Sequence, residues 1–223
     1  MQIGLIGGIG PAATDYYYRN LIAEFANRHE ALELTIVHAD TPTLLDNLER
    51  NDIEAQVAIY SRLTNKLAAA GAECVVVTSI AGHFCIDAFK KVSPLHVVDM
   101  LTEVSEAINV KNMGRIGILG TRTVMETRFY SGIRTAEVIP PGGSDLDDVH
   151  AAYIAMAAAG HVTSFQKDVF DTACKRLFQE ADVEAIMLGG TDLALVYDEQ
   201  NTDFPVIDCA AIHVEAIIRY ATT

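Results

Sequence analysis

"IGLIGGIGPAATDYYYRNLI" runs from Ile3 to Ile22, and "IGILGTRTVMETRFYSGI" runs from Ile116 to Ile133. Both open I-G-x-x-G, and Tyr17 and Tyr130 each fall 14 residues after the first Ile, an offset of 113 between the copies. A second pair repeats the pattern. "AAAGAECVVVTSIAG" from Ala68 aligns with "FQEADVEAIMLGGTDL" from Phe178, placing Glu73 opposite Glu184 at an offset of 111. Two matches at nearly one offset point to an internal duplication.

Between these landmarks, apolar runs of strand length alternate with longer amphipathic stretches. The expected strands are Ile3–Ile6, Leu34–His38, Cys74–Thr78, His96–Val98, Arg115–Leu119, Ala136–Ile139, Ala185–Leu188 and Val206–Asp208. Helices are expected between them, for example over Ala12–Ala26, Ile53–Ala70, Leu101–Asn109, Asp145–Ala159 and Phe165–Glu180. Strands that are apolar on both faces and alternate with helices make a parallel sheet with right-handed crossovers. The expectation is therefore an α/β protein of two pseudo-symmetric, Rossmann-like domains, each with a mostly parallel sheet flanked by helices. Residues 1–98 plus 205–223 form the first domain and 99–204 the second. Ligands of such sheets bind beyond the C-terminal strand ends, here in a cleft between the halves.

The 223-residue chain is half hydrophobic and 21% charged, enough for a sizeable core. A net charge of −14 argues against nucleic acid, because no basic stripe exists to release counterions. No apolar run reaches the roughly 18 residues of a membrane span, and the opening "MQIGLIGG" has neither a basic leader nor a cleavage site. The four cysteines, Cys74, Cys85, Cys174 and Cys209, show no CxxC spacing and read as reduced thiols of a cytoplasmic chain.

"VVVTSIAGHFC", from Val75 to Cys85, is the stretch where chemistry is expected. An apolar strand ends at Thr78-Ser79 and turns through small residues to His83 and Cys85. The duplication gives the Thr78-Ser79 lip a counterpart at Gly189-Gly190, on the opposite wall of the cleft. "GLIGGIGPAAT" fits a dinucleotide fingerprint loosely at Gly8-x-Gly10-x-x-Ala13, and Asp40 ends the next strand where a ribose-binding acid would sit. The preferred alternative is a tight strand-to-helix turn at Gly8, Gly10 and Pro11 whose amides bind a carboxylate or shape the cleft. Thr121 and Thr123 follow a strand at a helix start, as carboxylate binders or as plain caps. His38, Asp40, His83 and Asp208 all fall near strand ends, but no pair has a recognised ligand spacing, so no metal is expected. His213 is a further polar group five residues after Asp208. Cys85 and Cys209, just past strand tips, are better placed for reactivity than Cys74 and Cys174.

Taken together, the two opening motifs, the segment ending at His83, "LGGTDL" and the closing "DCAAIHVEAI" resemble the aspartate/glutamate racemase superfamily. The resemblance covers nearly the whole chain. It implies a cofactor-independent enzyme, often a homodimer, in which one cysteine from each half serves as acid and base at a substrate α-carbon. A thiol suits that task because its pKa of about 8.5 can be tuned toward neutrality. In this chain the first of those cysteines falls on Ser79 and the second on Gly190. Ile80-Ala81 replace the usual Asn-Thr, His83 is kept, and Asp192 takes the acidic place. A serine hydroxyl does not replace a thiolate without a strong activating base, and glycine has no side chain.

The expected function is accordingly that of a family member acting on a small carboxylic or amino acid. Its chemistry has diverged from two-cysteine racemization toward an isomerase, lyase or decarboxylase type. Ser79, His83, Asp192 and Cys85 are the catalytic candidates. Gly8, Gly10, Pro11, Asp40, Thr78, Thr121, Thr123, Gly190 and Thr191 are the substrate-binding candidates. A non-catalytic small-carboxylate binder or regulator is the alternative, and nicotinamide redox chemistry on the Gly8–Ala13 loop is a third reading.

Overall fold

The structure is a computed structural model and describes residues 1–197 and 202–222. In chain order the first half contains β1 (Ile3–Gly7), α1 (Pro11–Asn27), β2 (Leu34–His38), α2 (Thr41–Glu49), α3 (Ile53–Ala69), β3 (Cys74–Val77), α4 (Ile86–Lys90) and β4 (His96–Val97). These are followed by α5 (Met100–Lys111), β5 (Arg115–Gly120), α6 (Arg122–Glu126), β6 (Glu137–Ile139), α7 (Ser144–Ala159) and α8 (Ser164–Ala181). The chain ends with β7 (Ala185–Gly189), β8 (Val206–Asp208) and α9 (Cys209–Ala221). Short 3₁₀ turns at Ala81–Cys85 and Thr191–Leu195 follow β3 and β7.

Two four-stranded sheets form, ordered β2-β1-β3-β4 and β6-β5-β7-β8, and every pairing in them is parallel. The central strands β1, β3 and β7 are buried along their whole length, as strands covered by helices on both faces must be. Edge strand β2 is only partly covered.

The duplication is visible bond by bond. Ile3 pairs with Cys74 in one sheet and Ile116 with Ala185 in the other, at the two offsets found in the sequence. The Glu73 carboxylate accepts from the Gln2 amide at 2.9 Å, and the Glu184 carboxylate accepts from the Arg115 amide at 3.0 Å. Gly4 and Gly117 recur for one packing reason. A Cβ on Gly4 would stand 2.9 Å from the Cys74 carbonyl oxygen and 3.0 Å from Leu67 Cδ1. One on Gly117 would stand 2.7 Å from Ile186 Cδ1 and 3.0 Å from Leu177 Cδ1. In each half a helix leucine thus fills the space a side chain would need.

The copies differ where α1 and α6 follow their strands. α1 runs for 17 residues, whereas α6 stops after five. The chain then turns through Arg128, Phe129, Tyr130 and Ser131, all with φ between 51° and 59°. Four consecutive non-glycine residues in the left-handed region form a strained turn.

Two compact units result, Met1–Met100 with His213–Thr223 and Leu101–Ile212. The sequence reading put 205–223 with the first half. Instead Val206–Asp208 finds the open edge of β7, and the chain joins the first unit only at His213. Likewise α5 follows a strand of the first sheet but belongs to the second unit from Leu101 onward.

Candidate functional site

In the first unit, the strand ends and the 3₁₀ turn after β3 gather most of the polar candidates. His83 is 1% exposed, and its Nδ1 lies 2.7 Å from the Ser79 carbonyl oxygen. A carbonyl only accepts, so Nδ1 carries the proton and Nε2 is left with a bare lone pair. Among the described residues Nε2 has no hydrogen-bond partner. Burial lowers the His83 pKa, against the opposing influence of Asp99 and the bond to Ser79. The imidazole is therefore neutral at pH 7.

His213, delivered by α9, meets His83 edge to face with ring centroids 6.0 Å apart. Its Nε2–H donates to the Val98 carbonyl at 2.9 Å, and its Nδ1 accepts from the Tyr17 hydroxyl at 2.8 Å. Both nitrogens are occupied, and burial first, then His83, pushes its pKa down to about 3. Asp99, at the end of β4, is 8% exposed and pairs with Lys90 at 2.6 Å.

Ser79 is buried, and its Oγ accepts from the Gly82 amide at 3.3 Å, closing the 3₁₀ turn. Cys85 directs its thiol to the Gly82 carbonyl at 3.8 Å, and burial pushes the thiol up to about 12. Cys209 is fully buried, and burial raises its thiol well above its ordinary value too. Neither is a thiolate at neutral pH, which removes both as ready bases.

The Gly8 amide, expected to face a carboxylate, donates instead to Thr14 Oγ1 at 2.8 Å. Thr14 Oγ1 in turn reaches Thr78 Oγ1 at 3.3 Å, and Thr78 donates to the Ile6 carbonyl at 3.2 Å. Thr14 thus ties the turn to the end of β3. It stands four residues after Gly10 in the motif, and only that spacing hinted at it. Pro11 is exposed at the first position of α1, and Gly10 is half-buried. Asp40, placed by the fingerprint reading at a ribose, caps α2: its Oδ2 accepts from the Thr43 amide at 3.0 Å and the Thr43 hydroxyl at 2.6 Å. Those bonds hold its pKa down.

In the second unit the ends of β5 and β7 lie side by side, with Gly120 paired to Gly189. Thr121 caps α6 through Val124 at 3.4 Å, and Thr123 is half-buried beside it. Past β7, Gly190, Thr191 and Asp192 are all buried. Asp192 Oδ2 accepts from the Tyr153 hydroxyl at 3.0 Å, while Oδ1 has no partner among the described residues. Burial raises the Asp192 pKa, and the bond from Tyr153 opposes this. Tyr153, in the Ala-rich stretch of α7, carried no sequence signal. Asp208 caps α9 by accepting from the Ala210 and Ala211 amides at 2.9 and 3.0 Å.

Among the described residues no three His, Cys, Asp or Glu side chains gather as a metal would require. No described helix is long and apolar enough to cross a membrane.

The profile of the Asp/Glu/hydantoin racemase family matches residues 6–217. The chain belongs to that family. Among solved structures, it is similar to a candidate Asp/Glu racemase from Yersinia pestis, at 26% identity and a TM-score of 0.86 over all of both chains. An aspartate racemase homologue from Pyrococcus horikoshii OT3 shares the fold at 24% identity and a TM-score of 0.83, over all of this chain and 99% of that one. Glutamate racemase from Francisella tularensis, solved with D-glutamate, shares it at 14% identity and a TM-score of 0.71, over 99% of this chain and 81% of that one. Within this family fold, the two strand ends that follow β3 and β7 carry Ser79 and Gly190.

Proposed function

We propose that this protein acts on a small carboxylic or amino acid at the end of β3, with His83 as a single acid–base group in isomerase, lyase or decarboxylase chemistry. One observation carries the reading: the buried His83 has its Nδ1–H fixed on Ser79 and its Nε2 lone pair unused. A neutral imidazole in that tautomer accepts a proton at Nε2 and returns it. The Ser79 residue that fixes its Nδ1–H and the Thr78 end of β3 precede it in the same unit.

An amino acid is what the Francisella glutamate racemase holds, which supports the substrate class. The reading invokes no cofactor and no metal, and it takes the protein as a cytoplasmic homodimer. Two-cysteine racemization is set aside, because Ser79 and Gly190 stand where the resemblance places the cysteines and the chain's own thiols are buried in protonated form.

The test is proton NMR in D₂O with a panel of small amino and dicarboxylic acids, both enantiomers included. Turnover or α-proton exchange that disappears in His83→Gln, with the thermal melt preserved, is the expected result. Activity undiminished in that variant overturns the role of His83. A second reading, a non-catalytic carboxylate binder, is favoured by Ser79 Oγ being held by the Gly82 amide. It requires ligand-induced stabilisation without turnover.

A further inference from the structure

Gly190 is packed under an aromatic ring. A Cβ built on it would stand 2.5 Å from both Cζ and the hydroxyl oxygen of Tyr153. Its φ of −153° is ordinary extended backbone, so the ring, not the backbone, forbids a side chain. The same ring is nearly buried, and its hydroxyl donates to Asp192 Oδ2, two residues along the chain. Asp192 is 5% exposed, and its other oxygen is unpartnered among the described residues. A buried carboxyl oxygen without a partner is costly and is the kind of group a ligand satisfies.

We propose that Tyr153 stands in for a side chain on residue 190: its ring fills that space, and its hydroxyl positions Asp192 so that Oδ1 is kept for a ligand's hydrogen-bond donor. Tyr153 is then a positioning residue acting through Asp192. Resting on the reading above, the matching ligand is an α-amino or α-hydroxy acid, whose ammonium or hydroxyl supplies the donor that a plain dicarboxylate lacks.

Three measurements test this, and the first two need no ligand. Gly190→Ala is expected to lower the melting temperature by roughly 3–10 °C in the native background, the scale of overpacking a core. In a Tyr153→Ala background the same change is expected to be neutral or stabilising. An equal loss in both backgrounds overturns the assignment of the ring. Tyr153→Phe keeps the ring and removes the donor. Carbon-13 NMR of the aspartate carboxyls is then expected to show the Asp192 titration moved to higher pH, and an unmoved midpoint overturns the positioning role. Finally, aspartate and malate are expected to raise the melting temperature more than succinate does, with the difference lost in Asp192→Asn. Equal shifts from all three acids overturn the ligand assignment. No shift from any of them overturns both that assignment and the small-acid reading it rests on, while leaving the first two results to decide the role of Tyr153.

Discussion

The imidazoles of His83 and His213 meet edge to face, centroids 6.0 Å apart, and each donates one N–H to a backbone carbonyl, Ser79 and Val98 respectively. Both are held neutral in a buried setting. Asp99 and Lys90 are the charged groups that act on the pair, and Tyr17 closes it from α1. A histidine that stays neutral when folded but takes up a proton when unfolded weakens the fold as pH falls below its ordinary value of 6.5. The loss from His213 continues down to its folded value of about 3, at about 1.4 kcal/mol per pH unit. His83 adds to it in the same direction. Asp192, with its raised pKa, works the opposite way and relieves strain as it protonates. Urea unfolding between pH 8 and pH 4 is expected to show a falling midpoint, with a shallower slope in His213→Phe. A slope unchanged by that substitution would place the titrating groups elsewhere.

Gly4 and Gly117 occupy matching places but differ in what surrounds them. The nearest neighbour of a new methyl on Gly4 is the Cys74 carbonyl, which cannot swing aside, whereas on Gly117 it meets the ends of Ile186 and Leu177. Gly4→Ala is expected to cost about 1–3 kcal/mol, and Gly117→Ala distinctly less, by chemical denaturation of the two variants. Equal costs would mean that the backbone of β1 yields as easily as a side chain.

All four cysteines are buried, and burial raises the pKa of each thiol. Colourimetric thiol titration at pH 8 is expected to find almost none in the native protein and four after unfolding in urea. Rapid labelling of a native thiol would show a reactive cysteine where none is seen.

Ser131 is exposed and closes the left-handed turn with φ 55°. Glycine takes that conformation without the Cβ penalty. Ser131→Gly is therefore expected to stabilise the protein by a few tenths to about 1 kcal/mol, read from the denaturation midpoint. A destabilised variant would indicate that the turn is not strained at this residue.

The strands were legible because each is a short apolar run between helices: Leu34–His38 and Val206–Asp208 match residue for residue, and the others fall within a residue or two at their ends. The duplication was legible because Gly4 and Gly117 are fixed by close packing and Glu73 and Glu184 by strand-start hydrogen bonds. What lay hidden is tertiary. Tyr153 reads as one more apolar residue of an alanine-rich helix, and its partners Gly190 and Asp192 come from another element. Thr14 and Asp40 show the same gap on a smaller scale. The motif drew attention to Asp40 and passed over Thr14, and only the bonds to Gly8, Thr78 and Thr43 show what they hold. Nor does periodicity say which core a helix joins, and so residues 205–212 were assigned to the wrong half.

That exchange of helices bears on the order in which the molecule is made. The first unit takes in α9, whose His213 bonds to Tyr17 and Val98 and whose Tyr220 stacks on His96 at 4.3 Å between centroids. On the ribosome, the first hundred residues emerge with those partners still untranslated. Until α9 has been made, Tyr17 and His83 lack the neighbour that His213 provides. A nascent chain stalled before His213 thus holds a first unit without its closing helix.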